Sequence, residues 1–173
     1  MSPRAAWRLE SLGFGEVYDY AAGKQNWLAS GLPMEGRLAE TPTAGTTARS
    51  DVPTASLDED VGMVRKRVEA SEFDTAIVVN DRRVVLGILR PKHMEGDSHR
   101  TVEETMSPGP STFRPHVLIH EMAHFMAEHD LPSAPVTTGD GMLVGLLRQE
   151  DAQRATEEVG RRLGAREEEA LDG

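Results

Sequence analysis

The chain contains no cysteine. Disulfide staples, thiolate nucleophiles and cysteine-ligated zinc are excluded together. Aromatic residues are scarce at 5% of the sequence, so the core must be built mainly from aliphatic side chains. Positive charge is the minority: 19 Lys and Arg face 29 Asp and Glu, for a net charge of −10. A surface of that sign repels phosphate backbones and argues against DNA or RNA partners, while leaving room for a local basic pocket that takes a small phosphate compound. No apolar run approaches the ~20 residues that span a bilayer. The opening MSPRAAWRLE also lacks the apolar core of a secretory signal, so a cytoplasmic location is expected, with no membrane partner.

What is present suits one module with an appendage: 173 residues, 38% hydrophobic, with a mean hydropathy of −0.45. PRAAWRLESL (3–12) reads as a short amphipathic helix ended by Gly13 and Gly15, and EVYDY (16–20) alternates like a strand. Residues 37–47 lie in a stretch rich in Thr, Ala, Gly and Ser with no useful period, and read as a linker. Residues 156–173 read as a C-terminal helix with an acidic, solvated tail.

Between these ends lies a repeat. DTAIVVNDRRVVLGILRPKH, from Asp74, aligns without a gap on PSAPVTTGDGMLVGLLRQED, from Pro132, at an offset of 132 − 74 = 58. Ala76 falls on Ala134, Val78 on Val136, Gly87 on Gly145 and Arg90 on Arg148; upstream, Thr54 meets Thr112. Each half (48–97 and 98–155) reads as strand, amphipathic helix, hairpin, helix: an α+β fold made of a β-α-β-β-α unit occurring twice. Ser56 with Glu59 offers a capping box for the first helix, and Pro115 suits the opening turn of the second.

The second helix carries HEMAH, His120 to His124, which matches the H-E-x-x-H pattern of zinc peptidases. The repeat argues against that chemistry. Val61, Val64 and Val68 form the apolar stripe of the first helix, and their counterparts are Ile119, Met122 and Met126. His120 and His124 correspond to Gly62 and Lys66, which flank the stripe. Among further candidate ligands, His129 follows His124 by five residues, roughly half a turn out of phase. Two surface histidines and no metal are expected.

LPSAPVTTGDGMLVGLLRQED and DTAIVVNDRRVVLGILRPKH, bridged by VEETMSPGPSTF, resemble a tandem pair of cystathionine-beta-synthase (CBS) domains. The resemblance implies one pseudo-two-fold module, a homodimer, and clefts for adenosine compounds such as AMP, ADP, ATP or S-adenosylmethionine. After its last strand the family favours G-h-h-[ST]-x-x-D, whose aspartate accepts hydrogen bonds from the ribose. The second copy, Gly145 to Asp151, keeps that aspartate and puts Arg148 at the hydroxyl position; the first copy, Gly87 to His93, changes both. The resemblance thus implies a site around Asp151, lined by Thr112, Ala134, Val136 and Arg148. It also implies a regulatory protein, not an enzyme, that requires no cofactor; a non-binding dimerisation scaffold is the alternative. Residues 1–36 are similar to the C-terminal part of a rhodanese domain, truncated after the catalytic cysteine, which implies a structural role.

Overall fold

A computed structural model describes residues 3–18, 27–28, 32 and 41–171, with side chains over residues 5–18, 27–28, 32 and 41–162. Helix α1 spans Pro3–Ser11, as its periodicity predicts. Residues 16–18 of the expected strand EVYDY form none, and 19–20 lie outside the described residues.

The remainder runs α2 (Ala44–Thr47), β1 (Thr54–Ala55), α3 (Val61–Glu69), β2 (Ala76–Val79), β3 (Val85–Leu89), α4 (Pro91–Met94), α5 (Val102–Thr105), β4 (Ser107–Pro108), α6 (Ile119–Glu128), β5 (Ser133–Thr137), β6 (Leu143–Arg148) and α7 (Gln149–Leu171). In α3 the buried residues are Val61, Val64 and Val68, and in α6 they are Ile119, Met122, Ala123 and Met126. Each of these valine, isoleucine and methionine side chains contributes about 1.5–3 kcal/mol of burial. Ser56 and Glu59 make half of the expected capping box: the Ser56 N–H donates to Glu59 Oε2 at 2.8 Å, ahead of a helix that starts at Val61. Pro115 likewise lies before α6, which begins at Ile119.

The 58-residue offset holds bond by bond. Ala55 pairs with Val78 in parallel, and Phe113 with Val136 in parallel. Ala76↔Leu89, Val78↔Gly87 and Val79↔Val85 recur as Ala134↔Leu147, Val136↔Gly145 and Thr137↔Leu143, with the bulge at the same step. In the hairpin turns, Arg83 (φ 60) and Gly141 (φ 80) take the same left-handed conformation. The two turns dock on each other: Val85 N–H donates to the Gly141 carbonyl and Leu143 N–H to the Arg83 carbonyl.

Residues 42–49, read from sequence as linker and the start of the first repeat, obey the same offset. Thr43 caps α2 as Thr101 caps α5, each through a capping box. The two segments are exchanged. Thr43 bridges to Leu118 and Thr101 to Asp60; Ala44 N–H donates to the Val117 carbonyl, and Val102 N–H to that of Glu59. Ser107 then pairs with Ile88 and Arg49 with Leu146, closing one side of each sheet with a strand from the opposite copy. Thr43 and Ala44 are buried. Lack of period hid this element because one helical turn is too short to show one.

Candidate functional site

The exchange builds two related clefts where β3 or β6 of one copy meets the first two strands of the other. In the first cleft, β3 supplies Ile88, Arg90 follows directly after β3, β4 supplies Ser107, and the second copy supplies Pro110, Ser111, Phe113, Leu131, Ser133, Ala134 and Pro135. They enclose about 230 Å³. The walls are mostly apolar, with three serines and one cation, Arg90, among the lining residues. Among the described residues the Arg90 guanidinium has no hydrogen-bond or ion-pair partner. Behind it, His93 Nδ1 accepts the Arg90 backbone N–H at 2.9 Å, and Nε2 lies 3.2 Å from Ser107 Oγ. Burial, reinforced by the charges of Lys92 and Arg90, lowers the His93 pKa below its ordinary value. The imidazole is therefore a neutral acceptor at Nδ1 and carries its proton on Nε2.

At the equivalent positions in the second cleft stand Leu146 for Ile88, Arg148 for Arg90, Arg49 for Ser107, Val52 for Pro110, Phe73 for Leu131 and Ile77 for Pro135. There the space is filled. Val52, Phe73, Ile77, Ile88, Leu143 and Leu146 pack into one buried cluster. Arg49 and Arg148 lie over the Phe73 ring, at 4.9 and 5.6 Å from its centroid. Arg49 is tied to Asp51 and Glu72, and these hydrogen bonds raise its pKa while lowering that of Asp51.

The sequence-predicted residues divide between these places. Ala134 lines the open cleft, and Thr112 sits half-buried between two of its lining residues, Ser111 and Phe113. Val136 is fully buried in the core with Ile119, Met122 and Leu147. Arg148 and Asp151 lie elsewhere, in a cavity of about 290 Å³ with Thr47, Arg49, Arg154, Ala155 and Glu158. Asp151 is already engaged: Arg148 donates Nε–H to Oδ2 at 2.8 Å and Nη2–H to Oδ1 at 3.2 Å, and Arg154 Nη2 stands 3.3 Å from Oδ1. Arg148 also meets Glu150 at 2.9 Å. The hydrogen bond to Asp151 is the main cause of Arg148's raised pKa. Arg90, His93 and Ser107 were missed as site residues because the exchange that brings copy one against Ala134 leaves no trace in either copy alone.

His120 and His124 are exposed on α6; the latter is 76% exposed and lies 3.5 Å from Glu128. No group of three metal-ligating side chains exists among the described residues. Nor, among them, is any helix long and apolar enough to cross a membrane.

Comparison with known proteins gives a consistent account of this architecture. The family model described as the CBS domain matches residues 102–158. No curated protein matches the chain. Among solved structures, the cytosolic domain of the Mg2+ channel MgtE in complex with ATP is similar at TM-score 0.60 and 23% identity, over 68% of this chain and 50% of that one. The match thus spans half the length of that structure. CBSX2 in complex with AMP, a CBS-pair protein from Arabidopsis thaliana, is similar at TM-score 0.61 and 17% identity, over 69% of this chain and 98% of that one. An acetoin utilization protein (AcuB) from Vibrio cholerae is similar at TM-score 0.61 and 18% identity, over 75% and 97%. Residues 102–158 thus match the CBS domain, and the chain has the mixed α+β fold of CBS-pair structures.

Proposed function

We propose that the chain is a regulatory CBS-pair module that takes an adenosine compound in the cleft around Arg90, and that it acts as a homodimer. The carrying observation is a guanidinium, unpaired among the described residues, that lines an apolar cleft with three serines. Phe113, Leu131 and Pro135 offer faces for a purine, Ser107, Ser111 and Ser133 offer hydroxyls for ribose, and Arg90 offers charge for phosphate. A cavity of about 230 Å³ is below the ~300–1,000 Å³ of most ligand pockets. It suits the base and sugar, with phosphates reaching outward. The ATP and AMP of the MgtE and CBSX2 structures support this class of ligand. S-adenosylmethionine shares the base and sugar but lacks the phosphate that Arg90 would meet.

Within this reading Ala134 and the backbone around Thr112 belong to the ligand site and Val136 supports it from the core. Arg148 and Asp151, expected at the site, are assigned instead a structural role, supported by the ion pair between them. A second reading, a dimerisation scaffold without ligand, is favoured by one specific observation: His93 stands where the resemblance expects a ribose-binding aspartate. The rhodanese-like origin of residues 1–36 rests on sequence similarity alone, and a cytoplasmic location on the sequence reading above.

Calorimetric titration of the full chain with AMP, ADP, ATP and S-adenosylmethionine tests the proposal, with light scattering to read the dimer. Saturable nucleotide binding that Arg90→Gln weakens by about tenfold or more is expected, since a charge-assisted hydrogen bond contributes about 1.5–3 kcal/mol. A folded protein silent to all four ligands would move the assignment to the scaffold.

A further inference from the structure

The two clefts are built from equivalent positions, yet one is a cavity and the other is core. In the open cleft Pro110 and Leu131 remain half exposed, Ser107 contributes only a hydroxymethyl group, and the Arg90 guanidinium has no partner among the described residues. In its counterpart Val52 and Phe73 are buried, and the serine position is held by Arg49, whose guanidinium lies over the Phe73 ring. Phe73 is larger than Leu131, and the cation over its aromatic face favours its retention. What remains beside Phe73 is a broad depression of about 360 Å³ that carries Glu72, Asp74 and Glu150 with Arg148. That arginine already meets Glu150 and Asp151, so among the described residues no free cation is left there for an anionic ligand, and three carboxylates oppose one.

We infer that Phe73, held under Arg49 and Arg148, is the chain's own occupant of the second cleft, making the module a one-site binder whose two halves carry different roles. The first half's cleft is open to a ligand; the second is a fixed joint between the copies. The inference rests on the proposed function for the nature of the ligand, but the closure of the second cleft stands without any ligand. It also gives the pair a direction. A ligand entering beside Arg90 would stand between β3 and β5 on one side only, while the opposite side is clamped by Phe73.

The absence of native cysteine permits a clean test. Thr75 and Ser133 occupy equivalent positions and are both buried, and Ser133 lines the open cleft. Single-thiol variants Thr75→Cys and Ser133→Cys of the full chain are reacted with iodoacetamide, each with and without Phe73→Leu and Arg49→Ser, the residues of the open cleft. The Thr75→Cys thiol should react slowly and gain about tenfold or more in the double-substituted background, as a locally protected site does when its cover is removed. The Ser133→Cys thiol, which lines the open cleft and also borders the depression beside Phe73, should gain clearly less, which separates local opening from general loosening. An unchanged Thr75→Cys rate, or equal acceleration at both thiols, overturns the inference.

Calorimetry with AMP gives the second arm. One site per wild-type chain is expected, because Phe73 fills the second cleft and Arg148 beside it is already ion-paired; two sites in the wild type overturn the plug. If AMP does not bind while the thiol pattern appears, the closed cleft stands and the nucleotide reading falls.

Discussion

Gly145 lies directly beneath the Arg49 backbone: a Cβ on it would stand 2.6 Å from the Arg49 carbonyl oxygen and 2.8 Å from the carbonyl carbon. Glycine is required there by the exchanged segment, which crosses β6 at that point through paired hydrogen bonds between Arg49 and Leu146. Gly87 serves the same crossing in the other copy, but the nearest atom there is the Met106 sulfur, with the Ser107 carbonyl at 3.1 Å.

The two glycines should therefore respond differently to alanine. Gly145→Ala must displace backbone and is expected to cost about 1–3 kcal/mol or more. Gly87→Ala can be relieved by swinging a flexible thioether and should cost clearly less. Urea midpoints of the two variants measure the order. A larger loss at Gly87 would contradict the exchanged packing of Arg49 over β6.

Asp151 is expected to contribute to stability and not to ligand affinity. Asp151→Ala removes the partner of the two Arg148 hydrogen bonds at 2.8 and 3.2 Å and leaves a partly buried guanidinium short of acceptors. A loss of about 1–3 kcal/mol follows from hydrogen bonds of this type. Denaturant titration reads that loss, and AMP calorimetry on the folded variant should return the wild-type affinity. Abolished AMP binding with unchanged stability would return Asp151 to the ligand site that the family resemblance implies.

The fold was legible where it repeats. Fixed pairs such as Ala76 with Ala134 and Gly87 with Gly145 carried register, bulge and hairpin together, because alternating burial admits one register per strand. The exchange was not legible. Thr43 and Thr101 obey the offset as well as any strand residue, but a four-residue helix has no periodicity, and nothing local says which copy it packs against. The site suffered for it. Ala134 was grouped with Arg148, its neighbour in sequence register, when the crossing sets it opposite Arg90. The plug was hidden for a related reason: Phe73 against Leu131 is a conservative pair on paper, and only Arg49, arriving from the exchanged segment, turns it into a filled cleft.

The HEMAH pair should be inert. His120 and His124 are exposed, and no third ligand joins them among the described residues. Substituting alanine at both is expected to change stability by less than about 0.5 kcal/mol, as surface changes away from special features do. Equimolar zinc should leave the melting temperature where it was. A zinc-dependent rise that disappears in the double variant would revive the metal site.

His93 makes stability depend on pH in a definite direction. Its Nδ1 must stay unprotonated to accept the Arg90 N–H, and its folded pKa is lowered from the ordinary 6.5 by burial first and then by Lys92 and Arg90. Above pH 6.5 both folded and unfolded chains hold a neutral imidazole, and its full contribution is present. As pH falls through that value the unfolded chain takes up the proton first, so stability declines until the folded imidazole is protonated at its lower pKa. His93→Asn keeps an acceptor near the Arg90 N–H but removes the titration. The stability gap between wild type and this variant, measured by urea denaturation, should thus move against the wild type between neutral pH and the region below the ordinary histidine value. A gap that stays constant would show that His93 is not the acceptor holding Arg90 at the mouth of the open cleft.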